Sequence, residues 1–375
     1  MSVAAQPQRV SDRNTGASVS LDALRALAAI LVVLDHIQHL LFVGYWTLPS
    51  FRIHPLLVRS VSSVFSTGPE AVVIFFVLSG YLVGGSVLRS FEQGRWSWRD
   101  YLTRRLVRLW LVLLPALALS AGWQLLRHLP PDRAWLAAQD VTWRTLFGNI
   151  ALLQDIRVPN FGGNRVLWTL ANEFWYYLLF PMMLLVVRGR TLAARIGYAL
   201  LLVGVGYFVG HTVIALFPEW LMGVVLAWLP AGRTTARQRW VALIAYIVAI
   251  YVISMLLWPQ GFVKMDEVAG LLTMGLIWLL LGWQQPVSAA HRWVRLARWL
   301  AGLSYSLYLV HYPMLQFFAD HLAANGGWQP TNLHFAAALG LLLLATGYAA
   351  IVAAATERHN DRVRRWVEAH LPGRG

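Results

Sequence analysis

The chain has 375 residues, of which 58% are hydrophobic and only 13% charged, where a soluble globular protein carries about 25% charged residues. That balance excludes an ordinary soluble enzyme, and 19 Trp exclude a disordered chain. The absence of Cys rules out disulfides, a thiolate nucleophile and Cys-ligated zinc or iron–sulfur centres. The net charge of +14 does not point to nucleic acid, because the Arg residues sit in short segments between apolar runs, where membrane orientation requires them.

Apolar runs of roughly 20 residues recur almost end to end, so the fold class is an all-α polytopic membrane protein. The pattern predicts ten helices, at about 20–43, 70–88, 105–126, 166–187, 195–212, 214–229, 240–258, 267–284, 296–319 and 333–355. The apolar piece at 146–154 is too short to span and reads as interfacial or re-entrant. Residues 1–19 and 356–375 are expected to be cytoplasmic tails around a membrane domain at 20–355. The polar start and the long first apolar run argue against a cleaved signal peptide. With the N-terminus inside, the inner segments hold 22 Arg and the outer ones eight basic residues including Lys264. That bias sets the expected orientation, with both termini inside and an even number of spans. Pro130-Pro131 marks a bend in the long outer loop, and no internal repeat is visible.

Ionisable residues inside spans are costly and usually functional. The first helix carries Asp22, Arg25, Asp35 and His36. Asp22 and Arg25 are spaced to pair on one face. Arg25 and His36 are eleven apart, which returns to the same face roughly 16 Å along the axis. A cation near the inner mouth suits an anionic ligand such as a phosphate, and a His farther out suits proton abstraction. Asp35 is a candidate to orient or polarise His36, although adjacent helical side chains diverge by about 100°. The alternatives are a snorkelling Arg and a core His. In the second helix, Ser79 and Gly80 read chiefly as a close helix contact, with Ser79 a minor nucleophile candidate. Arg104, Arg105 and Arg108 begin the third helix and suit either inside anchoring or a polyphosphate. Glu173 lies deep in the fourth helix, an acceptor for a sugar hydroxyl or a partner for His36. Trp168, Trp175, Tyr176 and Tyr177 form either a carbohydrate-stacking wall or an interfacial belt. Glu219 is a second intramembrane carboxylate, and His311 follows Tyr305 and Tyr308 in the ninth helix. Nucleotide-loop and HExxH motifs are absent, and Asp320-His321 lacks metal spacing, so no metal is expected.

In chain order, LDALRALAAILVVLDH, FFVLSGYLVG, RRLVRLWLVLLP, WTLANEFWYYLLFP, PEWLMG and LSYSLYLVHYP resemble the acyltransferase-3 family of integral membrane acyltransferases. The resemblance covers about residues 19–355. It implies about ten spans and transfer of an acyl group, usually acetyl, from acyl-CoA to hydroxyls of cell-envelope glycans or glycosylated small molecules. It carries the family's R-x10-H pair onto Arg25 and His36, its Arg cluster onto Arg104, Arg105 and Arg108, its Glu onto Glu173 and its late His onto His311. The family often has an Arg before the segment matched by PEWLMG, but here VIALF stands there, which leaves Glu219 without that ion pair.

The implied assignment has acetyl-CoA entering from the cytoplasm as a donor substrate, with no permanently bound cofactor. Arg25, Arg104, Arg105 and Arg108 would take its phosphates. His36 would act as general base or be transiently acylated, with Asp35 or Glu173 stabilising the imidazolium. Trp168, Tyr176 and His311 would face the glycan acceptor. The expected location is the inner membrane, and the partners are acyl-CoA, the acceptor and the bilayer. The rivals are a transporter or flippase of a lipid-linked glycan, and a membrane sensor.

Overall fold

A computed structural model describes residues 14–44, 47–48, 66–127, 140–257, 262–323 and 326–371. The Pro130-Pro131 bend, and Arg9, Arg13, Arg52, Arg59, Arg133 and Arg374 of the charge count, lie outside the described residues. Every regular element among the described residues is a helix. In chain order these are α1 (Gly16–Leu41), α2 (Gly68–Glu92), α3 (Trp98–Leu126), α4 (Trp143–Ile150), α5 (Leu167–Arg188) and α6 (Leu192–Ile214). Then follow α7 (Phe217–Trp228), α8 (Ala236–Leu257), α9 (Phe262–Leu281), α10 (Arg292–Leu322), α11 (Asn332–Ala355) and α12 (Asn360–His370).

Each of the ten expected helices has a counterpart, most of them longer than the apolar run that announced it. The extension is local chemistry. The Ser97 side chain accepts the Asp100 N–H at the start of α3, and the Thr191 and Thr331 side chains do the same for α6 and α11. Among the described residues, seven helical runs are long and apolar enough to cross a membrane: Gly16–Leu41, Gly68–Glu92, Trp98–Leu126, Leu167–Arg188, Leu192–Ile214, Ala236–Ile253 and Asn332–His370. The protein is therefore a multi-pass membrane protein. At 12 residues, α7 is only about 18 Å long. The 146–154 piece is the eight-residue α4, opened by a reciprocal Thr142–Thr145 capping box. Helices α6 and α7 need almost no loop between them, because Gly210 (φ 74°, ψ −172°) breaks α6 before its end. The segment expected as a C-terminal tail contains a 3-10 turn, Glu357–His359, and α12.

The chain forms two compact units. One comprises Met1–Ala28, Pro69–Arg95 and Ala171–Arg298, and the other Ala29–Gly68, Trp96–Leu170 and Trp299–Gly375.

In the first unit, α2 and α7 cross at backbone contact. Helix α2 passes through a π-helical turn at Gly80–Gly84. A Cβ on Gly80 would lie 1.8 Å from the Trp220 carbonyl oxygen, and one on Gly223 would lie 2.0 Å from that of Val77. Small residues are required because no side chain fits between the two helices. The start of α1 is fastened to the segment after α9. Gly16 N–H donates to Gln285 O (2.9 Å), Ala17 N–H to Trp283 O (2.8 Å) and Val287 N–H to Asn14 O (2.7 Å).

The second unit is closed by polar ties between helices that are otherwise apolar. Asn164 Nδ2 donates to Ser120 Oγ (3.0 Å) and to Leu309 O (2.9 Å), which holds the turn before α5 to α3 and α10. Arg127 pairs with Asp320 across α3 and α10 and also donates to Gln124. Glu357 accepts from the Ser306 N–H and hydroxyl, tying the end of α11 to α10.

The crossing of α2 and α7 makes a prediction. Gly223→Ala drives a methyl into a carbonyl oxygen and is expected to cost about 1–3 kcal/mol. Its thermal midpoint in detergent falls, while Gly340→Ala, with nothing within 4 Å, holds or rises slightly. Equal midpoints for the two variants would contradict the contact.

Candidate active site

Helix α1 is unbroken through both Arg25 and His36. Nothing interrupts the eleven-residue spacing, so the two side chains keep the common face expected of them. Arg25 Nη2 pairs with Asp22 Oδ1 at 3.0 Å, the pair that the three-residue spacing anticipates.

In the second unit, His36 meets His311. His36 Nδ1 lies 2.9 Å from His311 Nε2, with ring centroids 5.1 Å apart. His311 Nδ1 in turn lies 2.9 Å from the Leu307 carbonyl one turn back along α10. Those distances assign the protons of the neutral pair. A carbonyl oxygen only accepts, so His311 carries its proton on Nδ1 and its lone pair on Nε2. His311 Nε2 therefore accepts the proton on His36 Nδ1, and His36 is left with a lone pair on Nε2. Side-chain packing holds this register. Tyr312 sets its ring edge-on to His36 at 4.8 Å, and His311 is 0% exposed. His36 is half-buried. The neighbouring charges that reach the pair are Asp35 at His311, and His39 and Arg165 at His36, the last also facing Tyr312.

Asp35 does not touch His36. Its Oδ1 accepts the Gly68 N–H at 3.2 Å, at the first residue of α2, and its Oδ2 lies 3.4 Å from His39 Nδ1. The carboxylate sits on the positive end of α2, and the divergence of adjacent helical side chains carries it there.

In the first unit, Glu173 joins a second polar group. Ser79 Oγ donates to Glu173 Oε1 at 2.7 Å, the Tyr177 hydroxyl donates to the same oxygen, and Trp220 Nε1 donates to Ser79 Oγ at 3.2 Å. The π-helical turn begins at the residue after Ser79, and such turns recur at functional sites. Ser79 thus bonds a carboxylate as well as lying at a helix contact. Glu219 is 0% exposed, and neither of its carboxylate oxygens has a hydrogen-bond partner among the described residues.

The remaining candidates separate. Arg104 and Arg108 are exposed, one helical turn apart, while Arg105 lies on the adjoining face with its guanidinium 5.7 Å from the Tyr101 ring centroid. Trp168 is half-buried, one residue before Thr169, whose Oγ1 is 2.9 Å from the Tyr308 hydroxyl. Tyr176 is 0% exposed, with its hydroxyl on Val213 O and its ring stacked on Phe217 at 5.0 Å. Tyr176 and His311 are both 0% exposed, the first packed within an aromatic cluster and the second hydrogen-bonded to His36, so neither offers the open surface expected of a residue that faces the acceptor. Two participants escape sequence reasoning. Arg165 stands three residues before Trp168, and only the fold turns it towards His36. Asp320, weighed only as a metal ligand, is the ion partner of Arg127. Among the described residues, no group of three or more His, Asp or Glu is arranged to hold a metal.

A family model described as an acyltransferase domain matches residues 18–351. The peptidoglycan O-acetyltransferase OatA of Listeria monocytogenes is 28% identical over 174 residues, covering 44% of this chain and 24% of that protein. An uncharacterized protein of Haemophilus influenzae is 26% identical over 134 residues, covering 35% of this chain and 55% of that protein. The chain thus spans only about a quarter and about half of the lengths of these two relatives. No solved structure matches. With the family match running from the first turns of α1 almost to the end of α11, the chain belongs to the acyltransferase-3 family.

Proposed function

We propose that this protein is an O-acyltransferase of the inner membrane. It moves an acetyl group from acetyl-CoA, supplied from the cytoplasm, to a hydroxyl of an extracytoplasmic glycan or glycosylated molecule. The observation that carries this reading is the His36–His311 hydrogen bond. It leaves a lone pair on His36 Nε2, on a half-buried ring inside the family's domain. Family membership supports acyl transfer. The glycan acceptor rests on the likeness to a protein named for acetylating peptidoglycan. The Arg bias of 22 against eight basic residues supports both termini in the cytoplasm and an even number of spans, about ten.

The reaction then runs as follows. His36 Nε2 takes the proton of the acceptor hydroxyl as its oxygen attacks the thioester carbonyl carbon. The tetrahedral intermediate collapses, the carbon–sulfur bond breaks, and the Nε2 proton passes to the departing CoA thiolate. The products are an O-acetyl ester and CoA thiol, and His36 returns to its neutral form. His311 holds the tautomer and ring angle of His36. Arg104, Arg105 and Arg108 meet the CoA phosphates, with Arg25 a further cation for the donor. In the first unit, Glu173, whose Oε1 is held by Ser79 and Tyr177, is the proposed acceptor for a hydroxyl; in the second unit, Trp168 is the proposed stacking surface. Asp35 acts through the start of α2 and through its field at His311.

Label transfer tests the assignment. Membranes containing the protein, given acetyl-labelled CoA on the cytoplasmic side, are expected to label an envelope glycan. His36→Ala should lower that transfer by about 100-fold or more, and near-normal transfer by this variant would refute the role of His36. Failure of the wild type both to bind acetyl-CoA and to transfer label would favour a transporter.

The tautomer argument gives a separate prediction. His311→Ala removes the acceptor for His36 Nδ1–H, whereas the Gln of His311→Gln offers a side-chain oxygen. The Ala variant is expected to lose at least about tenfold in kcat, with KM for acetyl-CoA unchanged. The Gln variant recovers part of the loss. Identical losses in both variants, with KM and kcat moving together, would reduce His311 to packing.

A further inference from the structure

The C-terminal helix α12 is not used by the proposed chemistry. Its sequence, NDRVRRWVEAH, divides into two faces. Val363, Arg364, Val367 and Glu368 are half-buried, and the helix packs against α3. Arg99 Nη2 donates to the Leu371 carbonyl just past the helix end. Arg364 is engaged within the helix, 3.5 Å from Asp361 Oδ1 and 3.8 Å from Glu368 Oε1.

The opposite face is different. At 100° per residue, Arg362, Arg365, Trp366 and Ala369 fall within an arc of about 100°, and all four are exposed. Trp366 is 62% exposed, an unusual position for so large an apolar side chain. Among the described residues, neither Arg362 nor Arg365 has a carboxylate within ion-pair distance, and Arg365 Nε donates only to the Asp361 carbonyl. Arg358, in the turn before the helix, is exposed as well. Only Thr356 and the 3-10 turn Glu357–His359 separate α12 from the apolar helix α11, which is the part of the run Asn332–His370 long and apolar enough to cross a membrane. Glu357 is tied to Ser306 of α10, which holds the start of α12 next to the end of α11. At the start of α3, Trp96, Trp98 and Tyr101 form an aromatic cluster, with ring centroids 5.1–6.3 Å apart. Aromatic rings of this kind collect at the level of lipid headgroups.

We propose that the face of α12 carrying Arg362, Arg365 and Trp366 binds the anionic phospholipid surface next to the spanning helices. Two unpaired guanidinium groups on an open face meet headgroup phosphates, while the indole beside them sits at the boundary with the acyl chains. The arrangement is flat and open, which suits a continuous charged surface rather than one enclosed phosphate. The seat is independent of acyl transfer, so its test does not use that activity.

The test is native mass spectrometry of the full-length protein in detergent, offered an equimolar mixture of phosphatidylglycerol and phosphatidylcholine. The wild type is expected to retain phosphatidylglycerol preferentially. The double variant Arg362→Gln, Arg365→Gln should retain it roughly 30-fold less, from the usual contribution of each surface Arg. A charge-keeping double variant, Arg362→Lys and Arg365→Lys, should stay near the wild type, and circular dichroism and the thermal midpoint of each variant report its folding. Equal retention of the two lipids would overturn the proposal. So would retention unchanged in a folded Gln variant. Displacement of phosphatidylglycerol by millimolar inorganic phosphate would also overturn it, since that marks a free-phosphate site.

Discussion

A polar side chain inside a bilayer has no water to turn to, so it needs a partner from the protein or a task that repays its placement. The organisation of this chain follows from that constraint. Its apolar helices could slide or rotate against one another at little cost, since hydrocarbon is as good a neighbour as Leu. What fixes them is a small set of polar ties. Asn164 holds a turn to α3 and α10, Arg127 joins α3 to α10 through Asp320, and Glu357 joins the end of α11 to α10. The His36–His311 bond is one more tie of this kind, between α1 and α10, and it leaves a ring-nitrogen lone pair on His36.

The helices were legible because a run of apolar residues long enough to span has few other uses. The ten expected segments each correspond to a helix, and their ends move outward where Ser97, Thr191 and Thr331 cap them. Partners were not legible, because they are chosen by the packing of distant segments. His36 and His311 are 275 residues apart, and nothing in either neighbourhood names the other. Asp35 stands next to His36 in sequence, yet its carboxylate goes to the Gly68 N–H. Three consecutive-looking Arg divide between two faces of α3, and Tyr176 disappears into an aromatic cluster with Phe217 and Trp220. Which polar residues lie within the helices was thus more readable than what their side chains touch. The π-helical turn after Ser79 was invisible, since Gly80 and Gly84 announce close packing without announcing the extra residue in the turn.

The pairing of His36 with a second His, instead of with a carboxylate, has its own logic. An Asp hydrogen-bonded to His36 would fix the same tautomer and would stabilise an imidazolium more strongly. It would also bury a full negative charge among apolar helices, a cost that a neutral imidazole avoids. His311 supplies the acceptor without the charge, and it is itself fixed by the Leu307 carbonyl of its own helix, so no further residue is needed to orient it. The carboxylate of Asp35 is placed instead on the backbone N–H at the start of α2, where the helix end offsets part of its desolvation. From there its field still reaches His311. In the proposed reaction this separates two functions that one carboxylate commonly combines: orientation would fall to His311 and electrostatic support to Asp35. If the donor is the thioester proposed above, its carbonyl is already activated and its leaving group is a good one, so orientation would be the greater need, and a weaker base held at one angle would serve inside a membrane.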